Sequence, residues 1–181
     1  YLCTPGDEHS CSLLIDTGCD NRIITTLIGI GYEKGGLPVR DIFLTHAHYD
    51  HSRMIREIKS AWPEVKTYAF SAYIGGIDQV LTGGEEIQSC GTSVEIIHVP
   101  GHTTDSVCIY LPKTGILFTG DSPIVIWGTD ATYEQAFFRA FERLASLKVS
   151  AIYPGHGEPL LQDCNRLLDQ SLRNLKLSRI I

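Results

Sequence analysis

Residues 45–51 read Thr-His-Ala-His-Tyr-Asp-His, so three of the chain's seven histidines and a carboxylate fall within six consecutive positions. Neutral imidazole and carboxylate are the ligands that zinc, iron and manganese share. A short turn sends neighbouring side chains in different directions, so one such segment can serve two adjacent ions. A solvated polar loop would account for the polarity but not for the repeated histidine. Three further donors stand at the ends of expected strands, each after a glycine: His102 in Pro-Gly-His-Thr, Asp121 in Thr-Gly-Asp and His156 in Pro-Gly-His-Gly. Glycine permits a sharp turn, which lets distant segments converge on one point. The candidate metal ligands are therefore His46, His48, Asp50, His51, His102, Asp121 and His156.

The rest of the chain alternates β-like and helical patterning, an α/β signature. Short apolar runs predict strands at 11–15, 41–44, 65–69, 94–99, 106–111, 115–119 and 152–153. Helical spacing predicts helices at 52–61, 71–81, 132–147 and 160–181, with Thr132 and Gln135 as a capping box and Gly83-Gly84 ending the second of them. Phe137, Phe141, Leu144 and Leu147, and later Leu167, Leu168, Leu172 and Leu175, mark buried helix faces. Strands followed by helices, twice over, fit two packed sheets with helices outside. With 181 residues, 43% hydrophobic and 20% charged, the expectation is a single domain over 1–181.

Fifteen Lys and Arg against 21 Asp and Glu leave a formal charge of −6, which disfavours a nucleic-acid partner. No apolar run reaches the roughly eighteen residues of a membrane span, and no secretory leader is visible. A soluble, cytoplasmic protein with a small-molecule substrate is expected, although the chain begins at Tyr1 and any upstream targeting segment is undetermined; the oligomeric state is open. The six cysteines (Cys3, Cys11, Cys19, Cys90, Cys108, Cys164) form no CxxC pair and are expected as reduced thiols, with Cys11 and Cys108 in the core and Cys19 near the site.

The series His46-x-His48-x-Asp50-His51, His102, Asp121, His156, preceded by Leu14-Ile15-Asp16-Thr17-Gly18, resembles the metallo-β-lactamase fold superfamily from near Leu14 to His156. The resemblance implies a four-layer αββα sandwich, two mixed β-sheets flanked by helices, with metals in a cleft at one edge. It also implies a division of ligands: His46, His48 and His102 on one ion, Asp50, His51 and His156 on the other, and Asp121 bridging. Asp16 either orients an imidazole from behind or satisfies a turn.

Two divalent ions, zinc first and iron or manganese as alternatives, can share a water and present hydroxide to an electrophilic carbonyl or phosphoryl centre. Asp50 can orient that nucleophile or help deliver a proton to the leaving group. The resemblance favours the compact glyoxalase II/lactonase-like hydrolases. Asp121 argues against the zinc β-lactamases, His48 against the flavodiiron proteins, and the length against nucleases with an added domain. Only 25 residues follow His156, too few for the glutathione-contacting helical domain of glyoxalase II, and Thr103-Thr104-Asp105-Ser106 departs from the lactonase pattern. The expected function is a metal-dependent hydrolase of a small ester, thioester or lactone, with phosphodiesters open. The alternative is a mononuclear iron persulfide dioxygenase in which His46, His102 and Asp121 alone ligate. A metal-binding module without turnover would not keep every ligand position filled. His9 and His98 read as a loop residue and a packed strand end. Tyr49, Trp127, Tyr133 and Phe138 are candidate substrate contacts for which a core role is simpler.

Overall fold

The computed structural model describes residues 1–4, 11–34 and 39–181; His9 lies outside them. One sheet holds β1 (Leu2–Cys3), β2 (Leu13–Ile15), β3 (Asp41–Phe43), β4 (Lys66–Ala69) and β5 (Gln79–Val80) in that order. Its β1–β2 pair is antiparallel and its other pairs are parallel. The second sheet comprises β6 (Glu86–Ser89), β7 (Thr92–His98), β8 (Val107–Leu111) and β9 (Ile116–Gly120). There the order is β11-β9-β8-β7-β6, where β11 is Ala151–Pro154 and pairs parallel to β9 in an otherwise antiparallel sheet. A small parallel pair joins β10 (Thr132–Tyr133) to β12 (Arg179–Ile180).

Side-chain alternation along the strands produces the layers, because successive residues point to opposite faces. Leu13, Ile15 and Phe43 face Val94, Ile96, Ile109 and Phe118 across the space between the sheets. Their neighbours Leu14 and Ile42 instead face outward, onto Leu27 of α1 (Arg22–Lys34) and Ile55 and Ile58 of α3 (Ile55–Ala61). In the second sheet Cys108, Tyr110 and Leu117 turn the other way, onto Phe137, Phe141 and Leu144 of α4 (Gln135–Ala145) and Leu168 and Leu175 of α5 (Cys164–Leu177). The result is the expected four-layer αββα sandwich, with sheet faces apolar on both sides. Each fully buried Leu, Ile or Phe in these layers stabilises by roughly 1.5–3 kcal/mol. Among the described residues no helix is long and apolar enough to cross a membrane.

Several expected elements differ. Residues 71–81 are not a helix: Gly76 turns the chain at φ +97, and Asp78 then accepts from Thr67 N–H (2.9 Å), Thr67 Oγ1 (2.8 Å) and Lys59 Nζ (2.7 Å). That clamp lays Gln79–Val80 beside Tyr68–Ala69 as β5. The expected capping box at Thr132 is absent, because Thr132–Tyr133 is spent on pairing with the C-terminal strand and α4 starts at Gln135. Residues 52–61 divide into α2 (Tyr49–Ser52) and α3, and the closing helix is Cys164–Leu177. Helix α1 and strands β1 and β6 were not expected; Asp20, whose Oδ1 accepts from Arg22 N–H at 2.8 Å, is the start signal for α1.

The expectation of six reduced thiols is also corrected. Cys11 and Cys90 form a disulfide with Cα atoms 5.4 Å apart across a sequence separation of 79. Cys11 precedes β2 in one sheet and Cys90 occupies the β6–β7 turn of the other, so topology rather than spacing brings them together. Cys11 is half-buried rather than core, whereas Cys108 is fully buried and its thiol is pushed up to about 12 by that burial. Cys3, Cys19, Cys108 and Cys164 carry free thiols.

Candidate metal centre

The seven candidate ligands, with Asp16 beside them, converge where strands of both sheets end. Asp16 follows β2, His46 follows β3, and His48, Asp50 and His51 lie at the start of and along α2; from the second sheet come His102 after β7, Asp121 after β9 and His156 after β11. Two glycines are required by space. A Cβ on Gly120, itself at φ +51, would lie 2.7 Å from Thr45 Cβ, and one on Gly155 would collide with Asp121 Oδ1 and stand 2.7 Å from His51 Cε1. These are the glycines preceding Asp121 and His156, and they let the two sheets close on the site.

The donor atoms fall into two groups, His46/His48/His102/Asp121 and Asp50/His51/His156, each with its atoms within 4.8 Å of one another. In the first, His102 Nε2 faces His48 Nδ1 at 3.0 Å. In the second, His156 Nε2 is 3.0 Å from Asp50 Oδ2. Asp121 lies between them: Oδ1 is 3.3 Å from His51 Nε2, while Oδ2 is 3.5 Å from His102 Nε2, 3.6 Å from His156 Nε2 and 3.8 Å from His46 Nε2.

A cation fits this arrangement on the protein's own hydrogen bonding. His46 Nε2, His51 Nε2 and Asp121 Oδ1 are buried and have no hydrogen-bond partner among the described residues, and an unsatisfied buried polar atom costs about 1–3 kcal/mol. Behind them the Nδ1 atoms of His46 and His51 are partnered. Asp16, in the left-handed region at φ 58, accepts from Thr45 N–H (2.7 Å), Thr45 Oγ1 (2.8 Å) and His51 Nδ1 (2.7 Å). Because the Thr45 hydroxyl donates to Asp16, it accepts from His46 Nδ1 at 3.0 Å. Both rings thus carry their proton on Nδ1 and aim the Nε2 lone pair at the centre, the tautomer that metal binding needs. Asp16 both satisfies a turn and orients an imidazole.

Burial pushes the His46 imidazole down to about 4, and the nearby His51 adds to the effect, so His46 is neutral at pH 7. Burial acts in the same sense on His51, but the Asp16 hydrogen bond and the charges of Asp16, Asp121 and Asp50 outweigh it and raise the group above its ordinary value. Surroundings that favour a proton there favour a metal cation equally. Asp50 resists the upward push of partial burial through its own backbone N–H and the neighbouring His51 and His156, which hold its carboxyl below the usual range.

Two grooves flank the centre. One is lined by Gly101, His102, Asp121, Tyr133 and Phe137; the other by Asp16, Cys19, Asp20, Asp50 and His156. Of the aromatic residues singled out in the sequence, Tyr133 lines the first groove, Phe138 packs on the helix-side core, and Tyr49 and Trp127 are exposed at 66% and 88%. His98 stacks on Phe70 with ring centroids 4.1 Å apart and bonds Thr104 O, away from the donor groups. Sequence reasoning missed Thr45 and Thr17. Thr17 Oγ1 donates to His51 O (2.9 Å) and accepts from Met54 N–H (3.2 Å), pinning α2 against the loop after β2. Their position beside Asp16 and His46 is the one available signal. Asp16→Asn keeps the volume and removes the anion behind both rings, so metal affinity is expected to fall about 10–100-fold. Competition with a chromogenic chelator reads this directly, and an unchanged affinity would deny Asp16 that role.

The chain belongs to the metallo-β-lactamase superfamily, whose family model matches residues 7–156. It is 27% identical over 152 residues to the thioesterase pkgB of Emericella nidulans, covering 84% of this chain and 44% of that protein. It is also 27% identical over 158 residues to the atrochrysone carboxyl ACP thioesterase dmxR1 of a Cryptosporiopsis species, covering 87% of this chain and 48% of that protein. The chain therefore spans about half the length of the curated relatives it matches. Among solved structures, a metallo-beta-lactamase from Pontibacter korlensis superimposes with a TM-score of 0.69 at 24% identity, over 92% of this chain and 82% of that one, a likeness of fold.

Proposed function

We propose that the protein is a binuclear metal-dependent hydrolase, with zinc the first choice of metal, that cleaves a small thioester. The same reading takes residues 1–181 as one catalytic domain. The observation that carries it is the pair of donor groups joined by Asp121, with buried Nε2 and Oδ1 atoms that lack hydrogen-bond partners among the described residues. The thioester choice, over ester or lactone, draws support from the two relatives that are named thioesterases. His46, His48 and His102 would hold one ion, Asp50, His51 and His156 the other, and Asp121 would be shared. When bound, such ions lower the pKa of a shared water and polarise the attacked carbonyl.

The residues of this chain do the positioning. Asp16 and Thr45 fix the imidazole tautomers. Asp50, ionised at neutral pH and with its side chain 46% exposed, faces the cleft where it can accept a hydrogen bond from the attacking water and hand a proton to the departing sulfur. Water and thioester thus become a carboxylic acid and a thiol, with no other reactant required.

Elemental analysis of protein purified without chelator, paired with a thiol-release assay, tests the reading. About two ions per chain, mainly zinc, with thiol release that stops on chelation, is the expected outcome. About one iron per chain, with oxygen uptake in the presence of a persulfide, would replace it with the dioxygenase reading that uses His46, His102 and Asp121 alone.

A further inference from the structure

The groove beside His102 and Asp121 is a cavity of about 400 Å³ whose walls are aromatic and polar; among the described residues that line it, Pro123 supplies the sole aliphatic side chain. Tyr133 stacks on Phe137 with centroids 5.6 Å apart and planes at 19°. Phe137 in turn lies under the His102 turn, because a Cβ on Gly101 would come within 2.9 Å of its ring. Phe137, 2% exposed, therefore backs the turn that carries His102, and the half-buried Tyr133 is the aromatic side chain that the groove offers to a ligand.

Tyr133 is held there by the backbone rather than by its hydroxyl, which makes no hydrogen bond among the described residues. Tyr133 O accepts from Ile181 N–H (3.0 Å), Gln135 N–H donates to Ile181 O (2.9 Å), and Tyr133 pairs with Ile180 in the β10–β12 ladder. The C-terminal strand thus pre-orders this wall, so a ligand that lies against it loses little to ordering of the protein. A straight-chain acyl group gains from an aliphatic tunnel that closes around it, and this groove has none. A flat ring gains from aromatic faces at stacking distance.

On the thioesterase reading, we propose that this groove receives the acyl half of the substrate and that Tyr133 is its specificity-determining residue, selecting a flat aromatic acyl group over a straight-chain one.

The test compares 2-naphthoyl and octanoyl thioesters of N-acetylcysteamine, acyl groups of similar hydrophobicity, on the metal-loaded protein, Tyr133→Leu and Tyr133→Phe. Leucine keeps apolar bulk without a flat face; phenylalanine keeps the face without the hydroxyl. The wild-type protein is expected to favour the naphthoyl substrate by about tenfold in KM, the scale of one good aromatic contact plus the ring area it covers. Tyr133→Phe should retain that ratio and Tyr133→Leu should reduce it to about threefold or less, with metal content unchanged in both. An equal ratio in all three proteins, or no wild-type preference, overturns the assignment. If neither thioester is cleaved, the thioesterase reading fails by itself. Calorimetric binding of 2-naphthoate and octanoate then decides on the groove: a preference for naphthoate that Tyr133→Leu removes upholds the aromatic wall, and equal affinities overturn it.

Discussion

Asp121→Asn is expected, on the proposed binuclear thioesterase reading, to cost the protein at least one of two ions and to slow thioester cleavage on the order of 10³-fold, a loss of several kcal/mol of transition-state stabilisation. The substitution preserves shape and removes only the charge, so its effect is local. Asp121 stands 3.3 Å from His51 Nε2 on one side and 3.5 Å from His102 Nε2 on the other. An amide can offer its oxygen in one of those directions, but then its NH2 group points in the other, where a donor cannot serve a cation. It also leaves seven proposed ligands with one anion, Asp50, in place of two. Elemental analysis and initial rates on the same preparation measure the outcome, and circular dichroism checks that the fold is kept. Two ions per chain at the wild-type rate would show that the two donor groups do not depend on Asp121.

Opening the Cys11–Cys90 disulfide is expected to lower the melting temperature by about 10 °C while the metal content and thioester cleavage of the proposed function persist at 25 °C. The bond closes a loop across a separation of 79 residues, for which the chain-entropy relation gives about 4.5 kcal/mol as an upper figure. Part of that is offset, because the same edge has other ties, one between the sheets and two within the first sheet. Ser89, next to Cys90, donates to the buried Asp41, Tyr68 OH reaches that carboxylate at 3.4 Å, and Arg40 N–H donates to Ser12 O at 2.9 Å. A net loss of about 3 kcal/mol in a chain of this size corresponds to the stated shift. Function should survive because the bond lies at the far end of the strands from the donors: Cys11 precedes β2 and Asp16 follows it. Thermal unfolding of the oxidised protein, the reduced protein and the Cys11→Ser/Cys90→Ser variant makes the measurement. Coincident curves would remove the bond from the stability of the fold.

The candidate site was readable because its chemistry is written in rare residue types at close or repeated spacing. Three histidines and an aspartate within 46–51 need no tertiary information to suggest a metal, and the Gly-His and Gly-Asp pairs downstream mark strand ends. Layering was readable from strands followed by helices, twice over, and the structure shows its side-chain basis: alternation along Leu13-Leu14-Ile15 and Cys108-Ile109-Tyr110-Leu111 distributes side chains to two different cores. The departures share one cause. Residues 71–81 have apolar content compatible with a helix, but Asp78 bonds to Thr67 and Lys59, which are distant in sequence, and β5 forms instead. Thr132 looks like a cap until the C-terminal strand takes its backbone.

Local pattern was enough for the α/β class, for two packed sheets with helices outside and for the seven candidate ligands, since periodicity, glycine-marked strand ends and metal-ligand chemistry are legible residue by residue, and the family resemblance added the four-layer αββα order. Pairings over long separations needed the folded molecule. The disulfide between Cys11 and Cys90, the Asp16 carboxylate shared by Thr45 and His51, the contact of Asp121 with both donor groups and the Tyr133 wall pinned by Ile181 each join segments whose proximity depends on how two sheets register. No propensity or spacing encodes that register; it is decided by the packing of the whole core.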